Sequence, residues 1–464
     1  ACTLGALLSD FSYMFLLGTK NINISSLKVI NMEIDEALRL LNSWWTSGTV
    51  KADLAKPYRR PMFTEAYDLL TKYRQIIILS GLRRVGKTTI MYQIIDELLK
   101  KTKPTSIVYF TSDYGAADIT AVLNAYQKIT NVNWKEEKIY LFLDEAQKLE
   151  NWSQQIKLLY DAFPNIKFVL SGSASLQLER RAMDNLAGRH YIIDVPVLSL
   201  TEYYFLRHDK TIGNIKLYED EIGLELEDYI RKPFPELAKV DDENRIYEYI
   251  RESIVSKIIS QDLLQEFEKV DITLLNSLVE IFFSEPGMVL NVDSLSRTLA
   301  KRKQEVERHI YMLEFSKLIR IVKNYRPSKL SESRKLRKVY PYDISLALAE
   351  NPSIEKGKVI EALIISRLDI KRYWREGAKE IDCLLGDRGS LIPVEVKSSD
   401  MLKEDYIKSL NYFISKFKLK LGVLLYNGKK ISIGKVRAVS IKDVLIYGFY
   451  KVVGEKESIS EAHR

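Results

Sequence analysis

The chain has 464 residues, too many for one compact core, and its 46% apolar and 28% charged residues describe folded globular protein and exclude a disordered or low-complexity chain. A formal charge of +8, from 70 basic and 62 acidic residues, is a mild pointer to a polyanionic partner. The two cysteines, Cys2 and Cys383, stand at opposite ends, which excludes a disulfide framework and a cysteine-rich zinc site and fits a reducing, cytoplasmic setting.

Residues 1–31 begin apolar but lack a basic leader and carry Asp10, so neither a signal peptide nor a membrane span is expected. The Ile34, Leu38, Leu41 spacing after Met32 predicts an amphipathic helix and a linker over 32–60, with the native start at Met32 and 1–31 as an extension. The β-formers Ile76 to Leu79 then lead into Gly81, Leu82, Arg83, Arg84, Val85, Gly86, Lys87, Thr88 and Thr89, and a helix follows with Met91, Ile94, Ile95, Leu98 and Leu99 on one face. This is GxxxxGK[ST] in its strand, loop and helix context. The glycines let backbone N–H groups turn toward phosphates, and the helix N-terminus adds about half a positive charge. Lys87 is expected on the β and γ oxygens of ATP and the Thr88 hydroxyl on Mg²⁺. The Arg83 and Arg84 side chains meet either phosphates or solvent, and the sequence does not choose.

The uninterrupted apolar run Ile139 to Leu143 predicts a parallel strand covered on both faces. Asp144, at its carboxyl edge, is expected to hold the water shell of Mg²⁺, and Glu145 to orient or polarise the attacking water. A third strand, "IKFVLSGSAS", ends in small hydroxyl residues, where Ser173 is either a sensor of the γ-phosphate or a turn cap.

"GLRRVGKTT", "LFLDEAQKLENW", "LSGSASLQLERRAMDNLAGRHYIIDVPVLSLTEY" and "YIRKPFPEL" together resemble the AAA+ type P-loop ATPases found widely in archaea and bacteria. In that family the ATPase domain is followed by a winged helix and a PD-(D/E)xK nuclease-like domain. The resemblance covers residues 34–455 and is tightest in the ATPase half. It implies that Arg189, in "AGRH", lies at the domain edge, either as an arginine finger completing a neighbour's site in a homo-oligomer or as a surface cap. It also implies that Leu54 to Pro61 contact adenine.

Residues 201–267 read as helices resembling a lid, with Ile246, Ile250, Ile254, Ile258 and Leu263 near one face. Over 268–345 we expect a helix capped by Asn291 or Asp293, then a second helix with Val306, Ile310, Leu313 and Leu318 inward. A β-ribbon completes a helix-turn-helix with a wing. The ribbon tip carries Arg326, Lys329, Arg334, Lys335, Arg337 and Lys338 against Glu332 alone, and DNA is the expected partner of those charges. Winged helices also serve as protein-docking modules, and the charge run is then a solvated face.

In the last part, 346–464, the strand "SLIPVEVKSS" sets Glu395 and Lys397 on one face and Val394 and Val396 on the other. Asp382 ends the preceding strand, Glu361 sits on the upstream helix, and Cys383 is expected in the core. These residues match the helix, strand, turn and strand of the PD-(D/E)xK core, with Ile381 where the name has proline. Asp382, Glu395 and Glu361 are expected to hold Mg²⁺ or Mn²⁺, and Lys397 to orient or deprotonate the nucleophile. The expected architecture is multidomain α/β: a P-loop parallel-sheet ATPase domain (61–200), a helical lid, a winged helix and a restriction-endonuclease-like α/β domain. The expected function is Mg²⁺-dependent ATP hydrolysis applied to DNA. The alternative is a nucleotide-dependent regulatory switch that docks a protein partner, with an inactive nuclease fold.

Overall fold

The computed structural model describes residues 33–112, 118–172, 185–211, 213–326, 336–387 and 390–454. The expectations for 1–31 and Met32, for Ser173, and for Lys329, Glu332, Arg334 and Lys335 lie outside the described residues.

The first sheet has five parallel strands, β1 (Ile76–Ser80), β2 (Ile107–Thr111), β3 (Ile139–Asp144), β4 (Ile166–Gly172) and β5 (His190–Asp194), in the order β2-β3-β4-β1-β5. Each of β1 to β3 is buried throughout, because a parallel sheet is covered on both faces. The period of two sorts their side chains. Ile77 and Leu79 join the core under the helices Pro61–Lys72 and Lys87–Leu99, while Ile76 and Ile78 join the core under Ile34–Leu41, Ile119–Thr130 and Trp152–Ala162. The loop after β1 opens at the carboxyl edge, where open α/β sheets bind ligands.

Helices fill 200–284. Leu200–Arg207 starts in a capping box, with Ser199 and Glu202 satisfying each other's backbone N–H groups. The expected apolar face of Ile246, Ile250, Ile254, Ile258 and Leu263 is buried. A strict four-residue repeat drifts by about 40° per step around an α-helix. The chain absorbs that drift in two π-helical stretches, Ile250–Val255 and Ile258–Asp262, whose wider turns keep every fourth residue inward.

Asn291, the first of the two candidate caps, accepts from Ser294 N at 3.0 Å and starts the helix Val292–Thr298. The helix Lys303–Phe315 then turns Val306, Ile310 and Leu313 inward. The strands that follow do not stand apart as a ribbon. β6 (Met288–Leu290), β7 (Ile319–Asn324) and β8 (Arg337–Pro341) continue into β9 (Arg372–Glu376), β10 (Lys379–Leu385), β11 (Ile392–Val396), β12 (Gly422–Tyr426), β13 (Ile431–Ile433) and β14 (Val436–Ser440). All nine form one sheet, ordered β13-β14-β12-β11-β10-β9-β7-β8-β6, which crosses residue 345 without a break. The join is narrow, a parallel contact of β7 with β9 through two register pairs. No helix among the described residues is long and apolar enough to cross a membrane.

Candidate functional sites at the P-loop and in the C-terminal sheet

Gly81 and Gly86 are required for different reasons. A Cβ on Gly81 would collide with the Val195 carbonyl, so the loop passes too close to the end of β5 for any side chain. Gly86 has φ +94°, a left-handed conformation that glycine adopts without a steric penalty. Arg84, at φ +66°, takes the same region without that freedom. Lys87 opens the next helix, and its buried Nζ donates to the Gly81 and Leu82 carbonyls, each at 3.0 Å. Burial lowers its pKa, Glu145 and Asp144 oppose that, and the charge of Lys317 reinforces it.

Asp144 ends β3 in the position expected for it, and four donors surround its carboxylate. Thr88 Oγ1 donates at 2.7 Å and Tyr109 Oη at 2.8 Å to one oxygen, while Ser171 Oγ and Glu145 N donate to the other. Burial raises its pKa and Glu145 adds to that, while the three hydroxyls work the other way. Glu145 has φ +52°, a strained conformation for a glutamate that turns the chain off the strand, and Gln147 Nε2 donates to its Oε2 at 2.7 Å. Tyr109 and Ser171 were not foreseen. Ser171 lies two residues before Ser173 in the same hydroxyl-rich strand end, and that composition was the available signal.

Arg83 and Arg84, left open between phosphates and solvent, each make an ion pair. Arg83 pairs with Asp262 at 2.8 Å and Arg84 with Glu236 at 3.3 Å, so both side chains reach residues of the helical segment after 200. Between that segment and the P-loop helix lies a cavity of about 280 Å³ lined by Lys56, Tyr58, Thr89, Ile90, Gln93 and Pro235, among others. Arg60 closes one wall. It donates to both oxygens of buried Glu202, at 2.7 and 3.2 Å, and to the carbonyls of Val85, Pro196 and Val197. Nothing in the local pattern set it apart from its neighbour Arg59. Arg189 lies at the other end of the sheet, ahead of β5, and grips Asp161 with two hydrogen bonds of 2.8 and 3.1 Å. It stands about 16 Å along the strand from its own P-loop and cannot serve it.

In the second sheet, Asp382 and Glu395 are both buried, and Lys397 Nζ lies 2.7 Å from Glu395 and 3.6 Å from Asp382. A register shift in β10 falls between Ile381 and Leu384, beside Asp382, and such bulges re-aim side chains. Asp382 Oδ2 also accepts from Val396 N at 2.8 Å, extending the β10–β11 ladder by one bond. Burial raises both carboxyl pKa values, and Glu361 acts on Asp382 as Asp382 acts on Glu395. Burial opposes the charge on Lys397, but the two acids outweigh it and raise the pKa. Glu395 Oε2 is buried with no hydrogen-bond partner among the described residues. Cys383 is buried, as expected.

One expectation is corrected. Lys338 is not at a ribbon tip but buried, 2.5 Å from Glu380 and 3.3 Å from Glu361. Lys338 on β8 and Glu380 on β10 meet across the two strands between them, β7 and β9, a span that two long side chains can cover. Glu361, expected as a third ligand, lies on the upstream helix Lys356–Arg367, close enough for its charge to act on Asp382 and Glu395. Tyr340 Oη donates to it at 2.5 Å and Lys338 pairs with it, and among the described residues no group of three or more His, Cys, Asp or Glu side chains is placed to hold a metal ion.

Comparison with known proteins agrees at the level of the nucleotide domain. Residues 73–204 match the family described as AAA domain, while 226–352 and 357–444 match two domains of unknown function, DUF8612 and DUF4143. The first sheet and its loop are therefore an AAA-type P-loop ATPase domain, which binds ATP. Two uncharacterized proteins of Methanocaldococcus jannaschii are 28% and 26% identical to the chain, over 59% and 76% of its length. The chain spans 62% of the first, less than two thirds, and 82% of the second. Among solved structures, the Walker-type ATPase PABY2304 of Pyrococcus abyssi is 14% identical, covering 63% of this chain and 95% of that one, with a TM-score of 0.41. The ORC1 protein of Aeropyrum pernix, solved in complex with DNA, is 13% identical over 65% and 97%, with a TM-score of 0.32. Both scores fall short of a shared overall fold.

Proposed function

We propose that the chain is a Mg²⁺-dependent ATPase whose nucleotide cycle repositions a C-terminal half acting on DNA phosphodiesters. The observation that carries the ATPase half is the Thr88 to Asp144 hydrogen bond of 2.7 Å beside Lys87. That hydroxyl and carboxylate are the hard oxygen donors Mg²⁺ takes, and the cation would supply charge neutralisation on the phosphates. Lys87 exchanges the Gly81 and Leu82 carbonyls for phosphate oxygens, and Glu145, steadied by Gln147, orients the attacking water. Arg189 acts in trans as the finger of a neighbouring copy.

The DNA half rests on the lone Glu395 Oε2 beside Asp382 and Lys397. A buried carboxylate oxygen without a partner costs free energy, and a divalent cation shared with Asp382 would satisfy it and lower the pKa of a bound water. Asp382 and Glu395 fit that role, and Glu361 would join them by releasing Tyr340 and Lys338. Lys397 would then position the nucleophile, and Arg326, Lys329, Arg334, Lys335 and Arg337 would meet phosphates. The test is cleavage of plasmid, linear and branched DNA with Mg²⁺ or Mn²⁺, with and without ATP, by the natural protein and by Glu395→Ala. Cleavage lost in the variant supports the reading.

One observation favours the regulatory switch instead. Asp382 already serves the β10–β11 ladder and Glu361 already holds Tyr340, so both acids have structural work without a metal. On that reading neither protein cuts any substrate, and a protein partner is recovered in one nucleotide state only.

A further inference from the structure

Lys317 is an unusual residue for its place. It follows the helix Lys303–Phe315 at φ +59°, with Lys317 N bonded to Glu314 O and Leu318 N to Leu313 O, a helix ending that glycine takes most easily. Its side chain is only 11% exposed, although lysine is almost never buried without a charged partner. Its Nζ pairs at 2.9 Å with Asp194, which is itself 52% exposed and would be solvated without it, and lies 5.7 Å from the centroid of the Tyr342 ring. Holding the helix end against β5 is one reason to keep a lysine there.

The position of Asp194 supplies a second. It ends β5 in register with Ser80, the residue before Gly81, and Val195 N donates to Ser80 O at 2.6 Å. The next two carbonyls, of Gly81 and Leu82, hold Lys87. Lys317 and Lys87, from distant parts of the chain, thus pair at the ends of two neighbouring strands, Lys317 with the last residue of β5 and Lys87 with the turn that leaves β1. An anion bound at that turn would have a second cation at the adjacent strand end.

We propose that Lys317, supplied from outside the AAA domain, is a nucleotide-binding residue that exchanges its pairing with Asp194 for the terminal phosphate of ATP. The proposal rests on the ATPase reading above and deepens it. ATP, with its third phosphate, draws Lys317 from Asp194, whereas ADP leaves the pair intact. The segment 226–352 thereby senses which nucleotide is bound.

The test is equilibrium binding of fluorescent ATP and ADP analogues, with Mg²⁺, to the full chain and to Lys317→Gly and Lys317→Arg. Glycine suits the left-handed backbone at 317, so the charge is removed without straining the fold. The glycine variant is expected to lose about tenfold in ATP affinity and under about twofold for ADP, and the arginine variant to bind both like the natural protein. Equal losses for both nucleotides, or no loss for either, would make Lys317 a docking contact and overturn the proposal. If the natural protein binds neither analogue, the ATPase reading itself falls, and this one with it.

Discussion

Arg60 carries more of the nucleotide domain than its place in an arginine pair suggests. One guanidinium ties the linker to Glu202 and to three carbonyls from the P-loop and the exit of β5. Arg60→Ala leaves a buried carboxylate and three buried acceptors, and we expect a loss of about 3–5 kcal/mol together with weaker ATP binding. Melting curves with and without ATP check both effects, and Arg60→Lys should rescue little because an ammonium cannot reproduce the forked geometry. Gly81→Ala should cost about 1–3 kcal/mol from the clash with Val195, seen in the same melts; an unchanged midpoint would mean the loop has room after all. Lys87→Ala should cut ATP hydrolysis at least about a hundredfold while the fold persists, read as phosphate release against circular dichroism.

At the scale of elements, the parts legible in the sequence were those whose partners lie nearby. The run from Ile76 to Leu99 could be read as strand, loop and helix because each step is local, and Asp144 could be placed because a buried parallel strand fixes its edge. Lys317 and Asp194 are 123 positions apart, and Lys338 meets Glu380 across two intervening strands; neither fact leaves a local pattern. The same holds for Arg367, on the helix Lys356–Arg367. It pairs at 2.5 Å with Asp343, the N-cap of Ile344–Glu350, and donates to the Tyr229 hydroxyl from the helical segment. Removing it strands a buried carboxylate at a junction of three elements. Arg367→Met is expected to lower stability by about 3–5 kcal/mol, whereas a shift within about 0.5 kcal/mol in a urea titration would show that the junction closes without it.

At the scale of the molecule, the continuous nine-stranded sheet means that a fragment ending at residue 345 leaves the β9 side of β7 unpaired. Lys323 N and Tyr325 N would lose their acceptors on Lys371 and Tyr373. We expect such a fragment to self-associate on a sizing column through that open edge, and a monomeric fragment with a cooperative melt would count against the sheet acting as one unit. The first sheet, for its part, is a polar object. All five strands run one way, with the P-loop at the carboxyl edge and Arg189 at the amino edge. A contact in which Arg189 of one copy met the nucleotide of another would join unlike ends, so the two sheets must either run antiparallel in a two-fold pair or follow head to tail in a ring or filament. In each of these arrangements a copy both gives an arginine and receives one. Mixing Lys87→Ala with Arg189→Ala protein reads this directly: recovered hydrolysis would place the working site between chains, and a mixture as dead as its parts would confine it to one.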